Sequence, residues 1–93
     1  MTSFTVRIEL HDADSSDYDE LHKKMEAGGF NTTIAGKNGT YKLPPAEYDY
    51  SSSSESCEQV RDKAYDIAKK VKKSPSVLVS EVVRRCWNNL EDA

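Results

Sequence analysis

The chain has 93 residues, 37% of them hydrophobic and 31% charged, with a formal net charge of −3, which is enough for one small domain around a thin core. The acidic balance excludes a histone-like basic stripe, although residues 51–93 hold eight Lys/Arg against seven Asp/Glu and leave room for a local patch. No apolar run approaches the roughly 18–20 residues that a helical membrane span needs, and no apolar leader follows Met1.

In chain order, Phe4, Val6, Ile8 and Leu10 alternate with Thr5, Arg7, Glu9 and His11, the period of a strand with one buried face. Tyr18, Leu21, His22 and Met25 then fall on one helical stripe. Asp14, Ser15, Ser16 and Asp17 can each cap that helix, and Gly28-Gly29 supplies its stop. Phe30–Ala35 predicts a second strand, and Gly36-Lys37-Asn38-Gly39 a tight reversal. The return strand, Thr40–Leu43, meets Pro44-Pro45, where it must bulge, break or lie at an edge. It resumes at Ala46–Tyr50 with Tyr48 and Tyr50 on one side and Glu47 and Asp49 on the other.

Ser52-x-x-Glu55 and Ser56-x-x-Gln59 both fit a capping box for a second helix over about 55–72, whose lysine-rich end suits the helix dipole. Ser74-Pro75 stops it, and Ser76–Val83 predicts the last strand. Residues 84–93 are expected as a partly ordered C-terminal tail that packs Trp87 on the domain. Cys57 and Cys86 lack metal-ligand or redox spacing and are expected as reduced thiols of a cytoplasmic protein. The element order β-α-β-β-α-β predicts an α+β fold of the ferredoxin-like kind. Residues 1–83 would form one antiparallel four-stranded sheet with both helices on one face.

The run VRIELHDADSSDYDELHKKMEAGGF, followed by the Gly39–Tyr48 strand with its Leu-Pro and Ala-Glu-Tyr, resembles the small bacterial proteins grouped with the GhoS antitoxin. The resemblance spans roughly Phe4 to Val82. It implies a ferredoxin-like fold close to that of the CRISPR adaptation nuclease. It also implies an endoribonuclease that acts as antitoxin in a type V toxin–antitoxin system, cutting the messenger RNA of a small membrane toxin.

Cleavage of single-stranded RNA needs a base for the 2′-hydroxyl, an acid for the leaving oxygen and positive charge near the phosphate. His11, Asp12 and His22 are the catalytic candidates. A histidine works in either direction near neutral pH. Asp12, with its mate across a dimer axis, could instead hold Mg2+ or Mn2+. Each has a plainer role as well: Asp12 and Asp14 as helix caps, His22 as a packing residue. Arg7, on the strand face away from the core, and Lys23 and Lys24 are candidate phosphate contacts, and Tyr41 a stacking surface for a base. Lys69–Lys73 reads as a solvated helix end.

Tyr48 and Tyr50 are expected in the core, because the alternative buries Glu47 and Asp49. That choice leaves an acidic sheet face, and with it a second functional reading: a non-catalytic module that binds a basic protein partner through this face or an edge strand. The strand interrupted by Pro44-Pro45 and the strand Ser76–Val83 are the edges at which a second copy could pair.

Overall fold

Strand β1 (Thr2–Glu9) is central in the computed structural model, which describes residues 1–93. Phe4, Val6 and Ile8 are buried along it, while Ser3, Thr5, Arg7 and Glu9 are not. Then follow α1 (Ser15–Ala27), β2 (Thr33–Gly36), β3 (Gly39–Lys42), β4 (Glu47–Ser52), α2 (Cys57–Ala68) and β5 (Ser76–Val82). β4 and β5 flank β1, each antiparallel to it. Leu21 and Met25 of α1, and Val60, Ala64 and Ala68 of α2, join the buried β1 side chains in a single cluster. Both helices therefore cover the same face of β1. The opposite face, carrying Thr5, Arg7, Glu47, Asp49 and Leu78, is left uncovered by the helices, with Arg7 and Leu78 exposed on it.

Each helix begins where its capping residues dictate. Asp14 accepts a hydrogen bond from the Asp17 amide, and the Asp17 carboxylate accepts one back from the Asp14 amide. Ser56 and Gln59 make the same reciprocal pair at α2. The other expected box does not form. The Ser52 hydroxyl accepts from the amides of Ser54 and Glu55 and shapes the turn that leads into the helix.

The expected four-stranded ferredoxin-like sheet is not what forms. The five strands make two sheets, β4-β1-β5 and a separate β2-β3 hairpin. The cause is the segment after Lys42. Pro44 and Pro45 cannot donate ladder hydrogen bonds, and Ala46 adopts a left-handed φ of 63°, so the strand expected to run on from Thr40 is cut in two. Its first half stays with β2 and its second half pairs with β1. A lone antiparallel bridge, Asn31 to Asp49, ties the hairpin to β4. The last helix is also shorter than its periodicity suggests, ending at Ala68 with turns over Lys69–Lys72.

The tail crosses the open side. Arg85 donates to the Thr5 hydroxyl at 3.0 Å and to the Phe4 carbonyl at 2.9 Å. Beyond it Trp87 packs on Tyr41 at 5.8 Å between ring centroids. Glu91 and Ala93 bond to the backbone of β3, with Tyr41 and Asp92 as bridge partners.

Candidate functional site

His22 is the best-positioned of the sequence candidates. It lies one turn from the buried Met25 on α1, half-buried, with Nδ1 2.7 Å from the hydroxyl of Tyr48 on β4. Burial, and secondarily the charge of Glu26, push the Tyr48 phenol well above its ordinary pKa, so it stays protonated at any physiological pH. The hydroxyl can donate to Nδ1, or Nδ1–H can donate to it. Either way the ring is fixed and Nε2 has no protein partner. The ring lines a groove of about 840 Å3 between α1, the Leu43–Glu47 segment and the end of the tail, with Glu26, Lys42 and Glu47 as further charged walls.

A second groove, of about 540 Å3, lies on the open sheet side. Thr5 and Glu47 contribute sheet residues, and Arg84, Arg85 and Trp87 of the tail also line it. The two grooves share Leu43, Pro44, Glu47 and Leu90, so they adjoin along one rim. Arg85 is committed: one nitrogen of its guanidinium lies 2.9 Å from Oδ1 of Asp49. That oxygen is buried and has no aligned hydrogen bond, so Arg85 is its only charge partner. Arg84 is exposed and makes no ion pair. Arg7, two residues along β1 from Thr5 on the same face, is also exposed and unpaired, although Glu47 sits opposite it in the register.

The other sequence candidates do not converge on this place. His11 is exposed, with Nε2 2.9 Å from the Ser76 hydroxyl. Asp12 is exposed in a left-handed turn at φ 55°, and Asp14, not Asp12, caps the helix. A hydrogen bond from the Ser16 hydroxyl, then one from the Asp17 amide, holds the Asp14 carboxyl below the usual range. Neither His11 nor Asp12 lines either groove. No three His, Cys, Asp or Glu side chains of the chain group to hold a metal ion. The Mg2+ or Mn2+ role of Asp12 thus lacks a ligand set within one chain.

Lys23 and Lys24 are exposed on α1, and Lys24 lies 3.8 Å from Glu20. Arg7 points away from the helices, so Arg7 and Lys23 do not form one clamp. Tyr41 is half-buried against Trp87. Tyr48 and Tyr50 lie in the core. The acidic sheet face is half cancelled, because Asp49 is matched by Arg85.

Arg84, Arg85 and Trp87 went unassigned by sequence reasoning, which treated residues 84–93 as packing alone. A cation pair two residues ahead of the only tryptophan was the available signal. No family model matches the chain, and no curated protein or solved structure matches it. No helix is long and apolar enough to cross a membrane.

Proposed function

We propose that this protein binds single-stranded RNA across the open side of its sheet and cleaves it in the His22 groove. The observation that carries the reading is the shared rim. A groove lined by an unpaired arginine and a tryptophan runs into one that holds an oriented histidine. Arg84 and Arg7 supply charge for phosphates, and Trp87 with Tyr41 supplies ring surface for an unpaired base. A strand of RNA lying there and crossing at Glu47 and Leu90 reaches Nε2 of His22. With its proton, Nε2 is the general acid for the leaving oxygen; without it, the base for the 2′-hydroxyl.

The resemblance to the antitoxin endoribonucleases supplies the setting we propose: the cytoplasm, with the messenger RNA of a small membrane toxin as substrate. The free thiols of Cys57 and Cys86 accord with that compartment.

The test is cleavage of end-labelled single-stranded RNA by the wild type and by His22→Gln, with binding followed by fluorescence anisotropy. The expected result is unchanged affinity and a loss of cleavage of about 10²–10⁴-fold in the variant. Equal cleavage by both proteins removes His22 from the chemistry. Absence of binding by the wild type removes the RNA reading altogether.

A further inference from the structure

The two outer edges of the main sheet are treated differently by the sequence. Beyond β4, the amide and carbonyl of Asp49 are bonded to Asn31 at 2.8 Å each, and the Glu47 amide is bonded to the Pro44 carbonyl. Beyond β5 there is no strand at all. Solvent-facing edges are ordinarily guarded by lysines, prolines, bulges or short length. β5 has seven residues, no proline, no lysine and one charge, Glu81. Leu78 is 63% exposed on the open face, and Val83, just past the strand, is fully exposed.

We infer that β5 is a homodimer interface, pairing antiparallel with β5 of a second copy about a two-fold axis at Ser80. The register follows from the ladder. Ile8 donates to Ala46, so the even-numbered residues of β1 bond toward β4 and the odd-numbered ones toward β5. The partners of those odd residues, Leu78, Ser80 and Val82, therefore turn their backbone groups inward. Val77, Val79 and Glu81 turn theirs outward; the Val79 carbonyl meets only a weak thiol donor, Cys57, at 3.5 Å.

An axis at Ser80 matches Val79 with Glu81, outward residue with outward residue, and sets Val77 opposite Val83 just past the strand. It also puts Leu78 beside Val82 of the mate on the open face. An axis at Glu81 would set two carboxylates face to face, which is unfavourable. An axis at Val79 would pair Val77 with Glu81 and set Val83 against Pro75, which has no amide to donate. The Ser80 register alone sets both exposed apolar side chains against apolar residues of the mate, Leu78 against Val82 and Val83 against Val77. The result is a six-stranded sheet that carries two copies of Arg7 on one open side. The inference is independent of RNA binding.

Sedimentation equilibrium of the full chain tests it. The expected species is twice the 10.5 kDa chain mass. Ser80→Lys, at an exposed side chain, sets two ammonium groups opposite each other across the axis and is expected to give a folded monomer, with circular dichroism confirming the fold. In a background with Cys57 and Cys86 replaced by Ser, Ser80→Cys is expected to form an intermolecular disulfide on mild oxidation. Directly opposed residues of a non-hydrogen-bonded pair lie about 4.5 Å apart at Cα, within bridging range. Leu78→Cys faces Val82 of the mate and is expected not to cross-link. A monomeric wild type overturns the inference. So does a dimer that survives Ser80→Lys, or one that Leu78→Cys locks and Ser80→Cys does not.

Discussion

The hydroxyl of Tyr48 and Nδ1 of His22 stand 2.7 Å apart, joining the most buried aromatic of β4 to the one groove-lining histidine. The contact explains why a polar tip is tolerated at the end of a fully buried ring: its hydroxyl has a partner. The burial of the phenol also makes the core sensitive to alkali. Burial raises the Tyr48 pKa above the value of about 10 it has in the unfolded chain. Above that pH the unfolded state sheds a proton that the folded state keeps, so stability is full below about pH 10 and falls as pH rises further. In Tyr48→Phe this alkaline slope is expected to flatten. The variant is expected to lose about 0.5–1.5 kcal/mol at neutral pH, read from urea melts across the pH range.

Asp49 illustrates the opposite case, a carboxylate on the open face that depends on a residue 36 positions later. Removing Arg85 leaves the buried Oδ1 with no charge partner. Both side chains keep about a fifth of their surface in solvent, which moderates the penalty. Arg85→Ala is expected to cost about 1–3 kcal/mol in chemical denaturation. Asp49→Asn placed in the same background is expected to recover part of that loss, because the group left unpaired is then neutral. An additive double mutant would mean that the pair does not interact.

The hydrophobic rhythm of the chain carried most of the local structure. Alternation over Phe4–Leu10, three-four spacing over Tyr18–Met25 and the Ser56 box each became the element they implied, because a buried stripe and a satisfied cap are local demands. Sheet membership was not legible in the same way. Thr40–Lys42 and Glu47–Tyr50 both read as strand, and nothing in their composition says that they belong to different sheets. That outcome is set by the Pro44–Ala46 backbone and by which neighbour each half meets. The candidate site split along the same line. His22 could be singled out from its place on the α1 stripe, but its partner Tyr48 could not. Arg84 and Trp87 become neighbours of the sheet because Arg85, and beyond it the backbone bonds of Glu91 and Ala93 to β3, anchor the tail across it.

Gly36 closes β2 where the indole of Trp87 lies. A Cβ there would stand 2.7 Å from Cζ2 of Trp87 and 3.1 Å from Tyr41, closer than either ring can accept without shifting. Gly36→Ala is expected to push Trp87 off the hairpin and expose it. Since this is the only tryptophan, its fluorescence emission should move to the red while far-ultraviolet circular dichroism stays near that of the wild type. An unchanged emission maximum would show that the indole does not rest there.

Acid should act through two hydrogen-bonded carboxylates, Asp14 at the α1 cap and Glu55 just ahead of the α2 cap Ser56. A hydrogen bond from the Tyr50 hydroxyl holds the Glu55 carboxyl below its usual pKa, as the Ser16 hydroxyl does for Asp14. Both folded values are depressed, so their stabilisation is present above the unfolded carboxylate range, near 4, and is lost as pH falls through the folded values. Asp14→Asn and Glu55→Gln are each expected to make stability less dependent on pH below about 4. Thermal melts between neutral and acidic pH, compared with the wild type, give the slopes directly.

The final expectation concerns the charge on the open side. Arg7 and Arg84 have no carboxylate within ion-pair range, so a phosphate approaching them displaces only water and counterions. Each contact to single-stranded RNA should add about 0.7 to the slope of log affinity against log salt. Arg84→Ala and Arg7→Ala are each expected to weaken binding of mixed-sequence single strands uniformly and to lower that slope by about one contact. Lys70→Ala, in the turn just past α2, serves as the control and should leave both quantities unchanged. A slope lowered equally by all three would mean diffuse attraction rather than a surface centred on the sheet, and the groove beside Trp87 would lose its claim to the RNA.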